Sequence, residues 1–323
     1  MHPIPRRTAL ALLALLPGLR ARAQAWPERP VTLVIPFAPG AFTDAVGRFA
    51  AAGMTAGLGQ PVVAENRPGA GGAIAARAIA RAPADGYTLM VGTQGTKASN
   101  ASLLRDPGYD PVNDFTPVHG LAKIVATLVC HPARPWRSVT DLVADARARP
   151  GRITFGSAGI GTVQHLLGEM FKLSTGADIA HVPYRGGAPA LADLLAGSID
   201  LMFDYPNPGV EMIRAGRTRP LAVAAAERLS MLPEVPTMRE VGVNDVEAET
   251  WFGIFGPRDL PPPALARLEE AASAALAGPE FAAFLARQGA IGMPLRGQPF
   301  RDFIAAEVAK WRRFAEATGF RIE

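Results

Sequence analysis

Hydrophobic positions along this chain alternate between two spacings. Short β-branched runs, Pro30-Val-Thr-Leu-Val-Ile35, Pro61-Val-Val-Ala64 and Tyr87-Thr-Leu-Met-Val91, read as buried strands. Between them the spacing lengthens to three or four residues, so that Val46, Phe49, Ala50, Gly53 and Met54 fall on one helical face. Polar, glycine-rich turns link each strand to its helix: Pro36-Phe-Ala-Pro-Gly-Ala-Phe-Thr-Asp44, with Thr43 or Asp44 available as cap, then Glu65-Asn-Arg-Pro-Gly-Ala-Gly-Gly72, then Gly92-Thr-Gln-Gly-Thr96.

The same rhythm returns after Val118 to His131, a long apolar stretch. Ser138-Val-Thr-Asp141 has the spacing of a capping box for a helix ending at Gly151. Strands are predicted at Ile153 to Gly156, Ile179 to Val182 and Ile199 to Phe203, with helices at Val163 to Phe171 and around Ala190 to Leu195. An Asp204-Tyr-Pro-Asn-Pro208 turn follows, and the chain returns near Glu249-Thr-Trp-Phe252. The remainder reads as helices over 264–277, 281–287 and 300–317, with Phe303, Ile304, Val308 and Trp311 in phase and Trp251 as hinge or core packing. Alternating strands and helices predict α/β layers.

Residues 1 to 23 read as a secretory signal: Arg6 and Arg7, an apolar core from Ala9 to Leu16, and a small-x-small site at Ala21-Arg-Ala23. The core is shorter than the roughly 20 residues that span a bilayer. Ordinary secretory export and a twin-arginine route both stay open, and no cysteine stands at the cleavage point for a lipid. The chain carries a net charge of +4, and the signal holds four arginines and no acid, so the mature part is neutral. A neutral surface offers nucleic acid no electrostatic footprint. The single cysteine, Cys130, forbids an internal disulfide, and the roughly 300 mature residues suffice for two domains.

Candidate chemistry gathers at Gly156-Ser-Ala-Gly-Ile-Gly-Thr162 and the helix behind it. Glycines allow close backbone approach, the first helical amides lack internal partners, and Ser157 and Thr162 add hydroxyls, so the turn can hold an anion. It can equally be a βα turn capped by Thr162 with nothing bound. The glycines depart from the dinucleotide pattern, and no Walker lysine follows. Ser157 with His165 and Asp204 or Asp178 could form a hydrolase triad, but Ser157 lacks the G-x-S-x-G elbow. His119, His131, His165 and His181 form no zinc motif. His165 falls on the polar side of its helix, which suggests a solvated or supporting role. Asp44 could enter a pocket or favour its helix electrostatically, Asp204 could touch a ligand or cap the following turn, and Tyr184-Arg185 could be a surface corner.

In order and spacing, Pro36-Phe-Ala-Pro-Gly with Asp44, Glu65 to Gly72, Ala84-Asp-Gly-Tyr-Thr-Leu89, Tyr109-Asp-Pro with Asp114-Phe-Thr-Pro-Val118, Phe155-Gly-Ser-Ala-Gly with His165, His181 to Gly187, Pro233-Glu-Val-Pro-Thr237 and Trp251 to Pro257 resemble the Bug/TctC family across the whole mature chain. These are periplasmic solute receptors of tripartite tricarboxylate transporters. The resemblance implies a two-lobed Venus-flytrap fold of the type II-like periplasmic-binding-protein kind, with a mixed sheet in each lobe. Lobe one would take 24–125 and 250–323, and lobe two 126–249. A small carboxylate (organic acid, aromatic acid or amino acid) would sit between the lobes, with no chemistry performed and no cofactor or metal. Contacts are expected from Ala41, Phe42, Thr43, Asp44 and Thr93 on one side and Ser157, Ala158, Gly159, Gly161, Thr162, Asp204 and Tyr205 on the other. His165 and Tyr184 would stand behind them. Membrane transporter subunits would be the partner of a periplasmic monomer; a secreted serine hydrolase or a sensory receptor domain is the alternative. Two departures stand out: Ala41 and Phe42 follow Gly40 where the family has Pro-Gly-Gly, and Ala75 replaces a usual glycine. Phe42 is therefore expected to fill or reshape the pocket.

Overall fold

The computed structural model describes residues 26–322; the signal expected at 1–23 lies outside them. The strands are β1 (Val31–Ile35), β2 (Val62–Asn66), β3 (Thr88–Thr93), β4 (Phe115–Val125), β5 (Thr127–Cys130), β6 (Ile153–Ser157), β7 (Ile179–Pro183), β8 (Leu201–Asp204), β9 (Arg219–Val223), β10 (Glu249–Pro257) and β11 (Ile291–Gly292). The helices are α1 (Phe42–Leu58), α2 (Ala73–Ala80), α3 (Asn100–Leu103), α4 (Val139–Ala148), α5 (Val163–Thr175), α6 (Gly187–Ala196), α7 (Pro206–Arg214), α8 (Pro262–Leu276), α9 (Pro279–Gln288) and α10 (Gly297–Thr318).

These strands form two mixed sheets, ordered β11-β4-β10-β3-β1-β2 and β7-β6-β8-β5-β9. In the first, β1 runs parallel to β2 and β3, while β10 is antiparallel to β3 and β4. In the second, β6 is parallel to β7 and β8, while β5 is antiparallel to β8 and β9. β1 is apolar almost throughout because helices cover both of its faces. The chain changes sheets at Ala126, between β4 and β5, and returns into β10. Ala224 ties the two crossings together: its amide donates to Ala126 O, and its carbonyl accepts from Ala248. Ser138 and Asp141 make the capping box that their spacing predicts.

The two lobes meet tightly across their backbones. Ala38 N donates to Arg185 O at 3.0 Å. Gly71 lies so close to lobe two that a Cβ on it would sit 1.9 Å from Ile160 O, and one on Gly95 would sit 2.7 Å from Gly161 O. Such contacts describe a shut cleft, sealed where side chains are absent.

Candidate functional site

At the lobe-one wall, α1 starts at Phe42 behind Ala41, which contributes no side-chain cap. Thr43 and Asp44 therefore lie inside the first turn, and neither is the cap. Asp44 reaches back to the Gly40 amide at 3.2 Å and accepts from Arg48 Nε and Asn66 Nδ2, both at 2.9 Å. Burial alone would raise its pKa, but the hydrogen bonds from Arg48, Asn66 and Gly40 hold it below the ordinary value. This carboxylate fastens the turn. The Phe42 ring packs on Phe252 and Phe284, with centroids 5.0 and 6.5 Å away. Its ring joins the lobe-one core, where an apolar residue at the first helical position gains by packing on that aromatic cluster, and Phe42 also borders the cleft.

Opposite stands the loop before α5, and its polar groups are largely spent on one another. Thr162 is the N-cap, accepting from His165 N at 3.5 Å and donating to Gly159 O at 2.7 Å. Ser157 Oγ also bonds Gly159 O, at 3.2 Å, and accepts the Gly159 amide. The amides of Ala158 and Gly161 donate to Gln164 Oε1 and His165 Nδ1. The hydroxyls read as donors to a guest thus brace the loop, and what remains for a guest are the first-turn amides of α5. Thr162→Ala is accordingly expected to lower the unfolding free energy by about 1 kcal/mol, read from the urea midpoint.

His165 is buried, not solvated, because α5 is covered on nearly every side. Its ring stacks on His181 with centroids 4.1 Å apart, and His181 Nε2 lies 2.6 Å from Ser157 Oγ. Burial, then the charges of His181 and Lys172, push His165 down to about 3; burial and Lys172 push His181 down to about 4. Both rings are neutral at pH 7. The imagined triad fails on geometry: the ring beside Ser157 belongs to His181, and Ser157 is 0% exposed. Among the described residues neither ring hydrogen-bonds to an aspartate, and no three His, Cys, Asp or Glu side chains group as a metal site.

Three helix starts face the space between the lobes: α1, α5 and α6, the last opening at Gly187. They enclose an inner chamber of about 30 Å³, room for one small polar group, lined by Ala41, Thr43, Thr93, Gly95, Ala158, Thr162, Val163, Gln164, Gly187, Tyr205, Thr250, Phe37 and Phe252. Tyr205 Oη and Thr250 Oγ1 meet at 2.8 Å in its wall. An outer chamber of about 180 Å³ shares Ala41, Gln164, Gly187 and Tyr205 with it, and adds Phe42, Asp204 and the α6 residues Ala188, Leu191, Ala192 and Leu195. No lysine, arginine or histidine lines either. A larger open groove of about 690 Å³ lies between residues 106–113 and α10, away from these helix starts.

Of the residues the sequence singled out, Ala41, Thr43, Thr93, Ala158, Thr162 and Tyr205 line the inner chamber, and Phe42 and Asp204 border the outer one. Asp44, Ser157, Gly159, Gly161, His165 and Tyr184 line neither. Gly159 and Gly161 instead face Gly71 and Asn100 of the other lobe, and Tyr184 Oη donates to Asp193 at 2.6 Å. Gln164 and Gly187 carried no separate signal, although Gly186-Gly187 ahead of an apolar helix is the same type of start as Gly40-Ala41.

The family model described as "Tripartite tricarboxylate transporter family receptor" matches residues 46–320. The chain belongs to the TctC family. Solved relatives agree with this placement in TctC. The periplasmic binding protein BugD is 32% identical with a TM-score of 0.87, covering 92% of this chain and 100% of that one. Rpa4515 of R. palustris, solved with adipate, is 38% identical with a TM-score of 0.86, covering 92% and 99%. MatC of Rhodopseudomonas palustris, solved with bound malate, is 33% identical with a TM-score of 0.85, covering 89% and 99%. The fold is the two-lobed α/β fold of these TctC-type binding proteins, a solute-binding family of the extracytoplasmic space. Among the described residues no helix is long and apolar enough to cross a membrane.

Proposed function

We propose that this protein is a periplasmic receptor that captures a small carboxylate between its lobes and delivers it to a tripartite tricarboxylate-type membrane transporter, performing no chemistry on it. The observation carrying this reading is the meeting of three helix N-termini on one enclosed, uncharged chamber. Helix starts offer unpartnered amides and positive dipole ends, and a chamber without basic side chains leaves these as the means of holding an anion. Charge-assisted bonds contribute roughly 1.5–3 kcal/mol each, and micromolar affinity needs about 8 kcal/mol, so a handful suffices. The adipate and malate bound by the two R. palustris relatives are carboxylates of this kind.

In this reading residues 24–125 and 250–323 act as one jaw and 126–249 as the other, hinged where the chain passes Ala126 and Ala248. Ala41, Thr43, Thr93, Ala158, Thr162 and Tyr205 touch the guest directly. The receptor works as a monomer, exported by its first 23 residues, and jaw closure creates the surface that the transporter reads. A thermal-shift and calorimetric panel of mono- and dicarboxylates, aromatic acids, amino acids and neutral sugars tests it. Carboxylates are expected to raise Tm in proportion to occupancy; a rise with sugars alone would refute the anion reading.

A further inference from the structure

The outer chamber differs in chemistry from the inner one. Its α6 wall is aliphatic, and its one charged residue is Asp204. Asp204 is 6% exposed; Oδ1 accepts the Tyr205 amide at 2.9 Å, whereas Oδ2 has no hydrogen-bond partner. A Cβ on Gly209 would come within 2.8 Å of Oδ2, so that flank is closed by backbone. A buried carboxylate oxygen without a donor is costly. No lysine, arginine or histidine borders either chamber, so a cationic donor has to arrive with the guest.

Resting on the carboxylate-receptor reading above, we infer that the preferred guest is an amino acid held at both ends: its carboxylate against the helix starts of the inner chamber, its ammonium group on Asp204 Oδ2. The aliphatic residues Leu191, Ala192 and Leu195 face the methylenes between the two groups. A dicarboxylate would bring a second anion against Asp204 with no cation to offset it. Protonation gives a further handle. Burial pushes the Asp204 carboxyl up to about 7, against a smaller lowering by the Tyr205 amide. The titratable side chain beside it, Tyr205, is itself held protonated by burial. Asp204 therefore attracts an ammonium group above pH 7 and loses that attraction as pH falls below it.

The test is calorimetry of the purified protein with matched triplets: butanoate, 4-aminobutanoate and butanedioate, and their three-, five- and six-carbon counterparts. At pH 8 the amino member is expected to bind about ten- to a hundredfold tighter than its methyl counterpart at one or more lengths, with the dicarboxylate weaker than the amino acid. That preference shrinks at pH 5.5 and vanishes in Asp204→Asn. Equal binding across every triplet overturns the inference and leaves the carboxylate-receptor reading standing, whereas absence of binding by any carboxylate overturns that reading itself. Should Asp204→Asn not fold, the unaltered protein still decides: an amino preference equal at pH 8 and 5.5 removes Asp204 from recognition.

Discussion

Gly95→Ala is expected to weaken ligand capture roughly 5- to 150-fold while leaving the chain at least as stable as before. Gly95 opens a π-helical turn, Gly95–Ser99, on the lobe-one side of the inner chamber, and its own backbone accepts a side chain. Within a helix alanine is favoured over glycine by about 0.5–1 kcal/mol, so lobe one has no reason to lose stability. The added methyl group would nevertheless stand 2.7 Å from Gly161 O and 3.6 Å from Thr162 Cα across the cleft. Both belong to the braced loop before α5, which cannot yield without breaking the bonds to Gly159 O. The conflict exists only when the jaws are shut, so it subtracts from binding and not from folding. Gly278→Ala, where a Cβ meets nothing within 4 Å, is the matched control. Calorimetry should show the loss at position 95 alone, and X-ray scattering should show the liganded variant remaining more extended. Unaltered affinity would mean that the bound cleft closes less far than the contacts across Gly95 and Gly71 describe.

As pH falls from 6.5 to 4.5 the protein is expected to lose stability, with a slope approaching that of one net proton, on the order of 1 kcal/mol per pH unit. The sign follows from three buried groups. His165 and His181 are held far below the ordinary 6.5, so below that pH the unfolded chain binds two protons that the folded chain refuses. Asp204 works the other way. Raised to about 7, it takes up a proton in the folded state while the unfolded chain stays ionised down to about 3.8. Two protons favour unfolding and one opposes it, leaving one net; His119, also lowered, chiefly by burial, steepens the fall further. Urea midpoints across this range measure the slope. Asp204→Asn should make the loss steeper by removing the opposing proton, and His165→Gln with His181→Gln should flatten it or reverse its sign. A limb unchanged by either variant would locate the acid sensitivity elsewhere.

Much of the fold was legible because its strands are short, β-branched and covered on both faces, and its helices keep their apolar spacing between glycine turns. The Ser138–Asp141 box was readable because it is closed within one turn of chain. The cleft was readable to the level of which turns meet. It was not readable to the level of which polar atoms stay free, since that depends on partners brought from a distance. Ser157 is answered by His181, 24 residues away, and Gln164 joins Ala158 N to Phe203 O, 39 residues on. His165 falls on the polar side of its helix in the sequence, but α5 is enclosed on both sides, so the polar side is buried too. Phe42 borders the outer chamber, as the turn before it suggests, but its packing on Phe252 and Phe284 depends on partners far along the chain and is not legible locally.

The lone thiol bears on how jaw motion could be watched. Cys130 lies fully buried in β5, and burial pushes it up to about 11, so near neutral pH it is both shielded and protonated. Ile160, 39% exposed and directly across from Gly71, sits where the two lobes part. A cysteine placed there would be the single site that a maleimide reaches. An environment-sensitive dye attached at that point would report capture as a change in fluorescence, turning the receptor into a reagentless sensor.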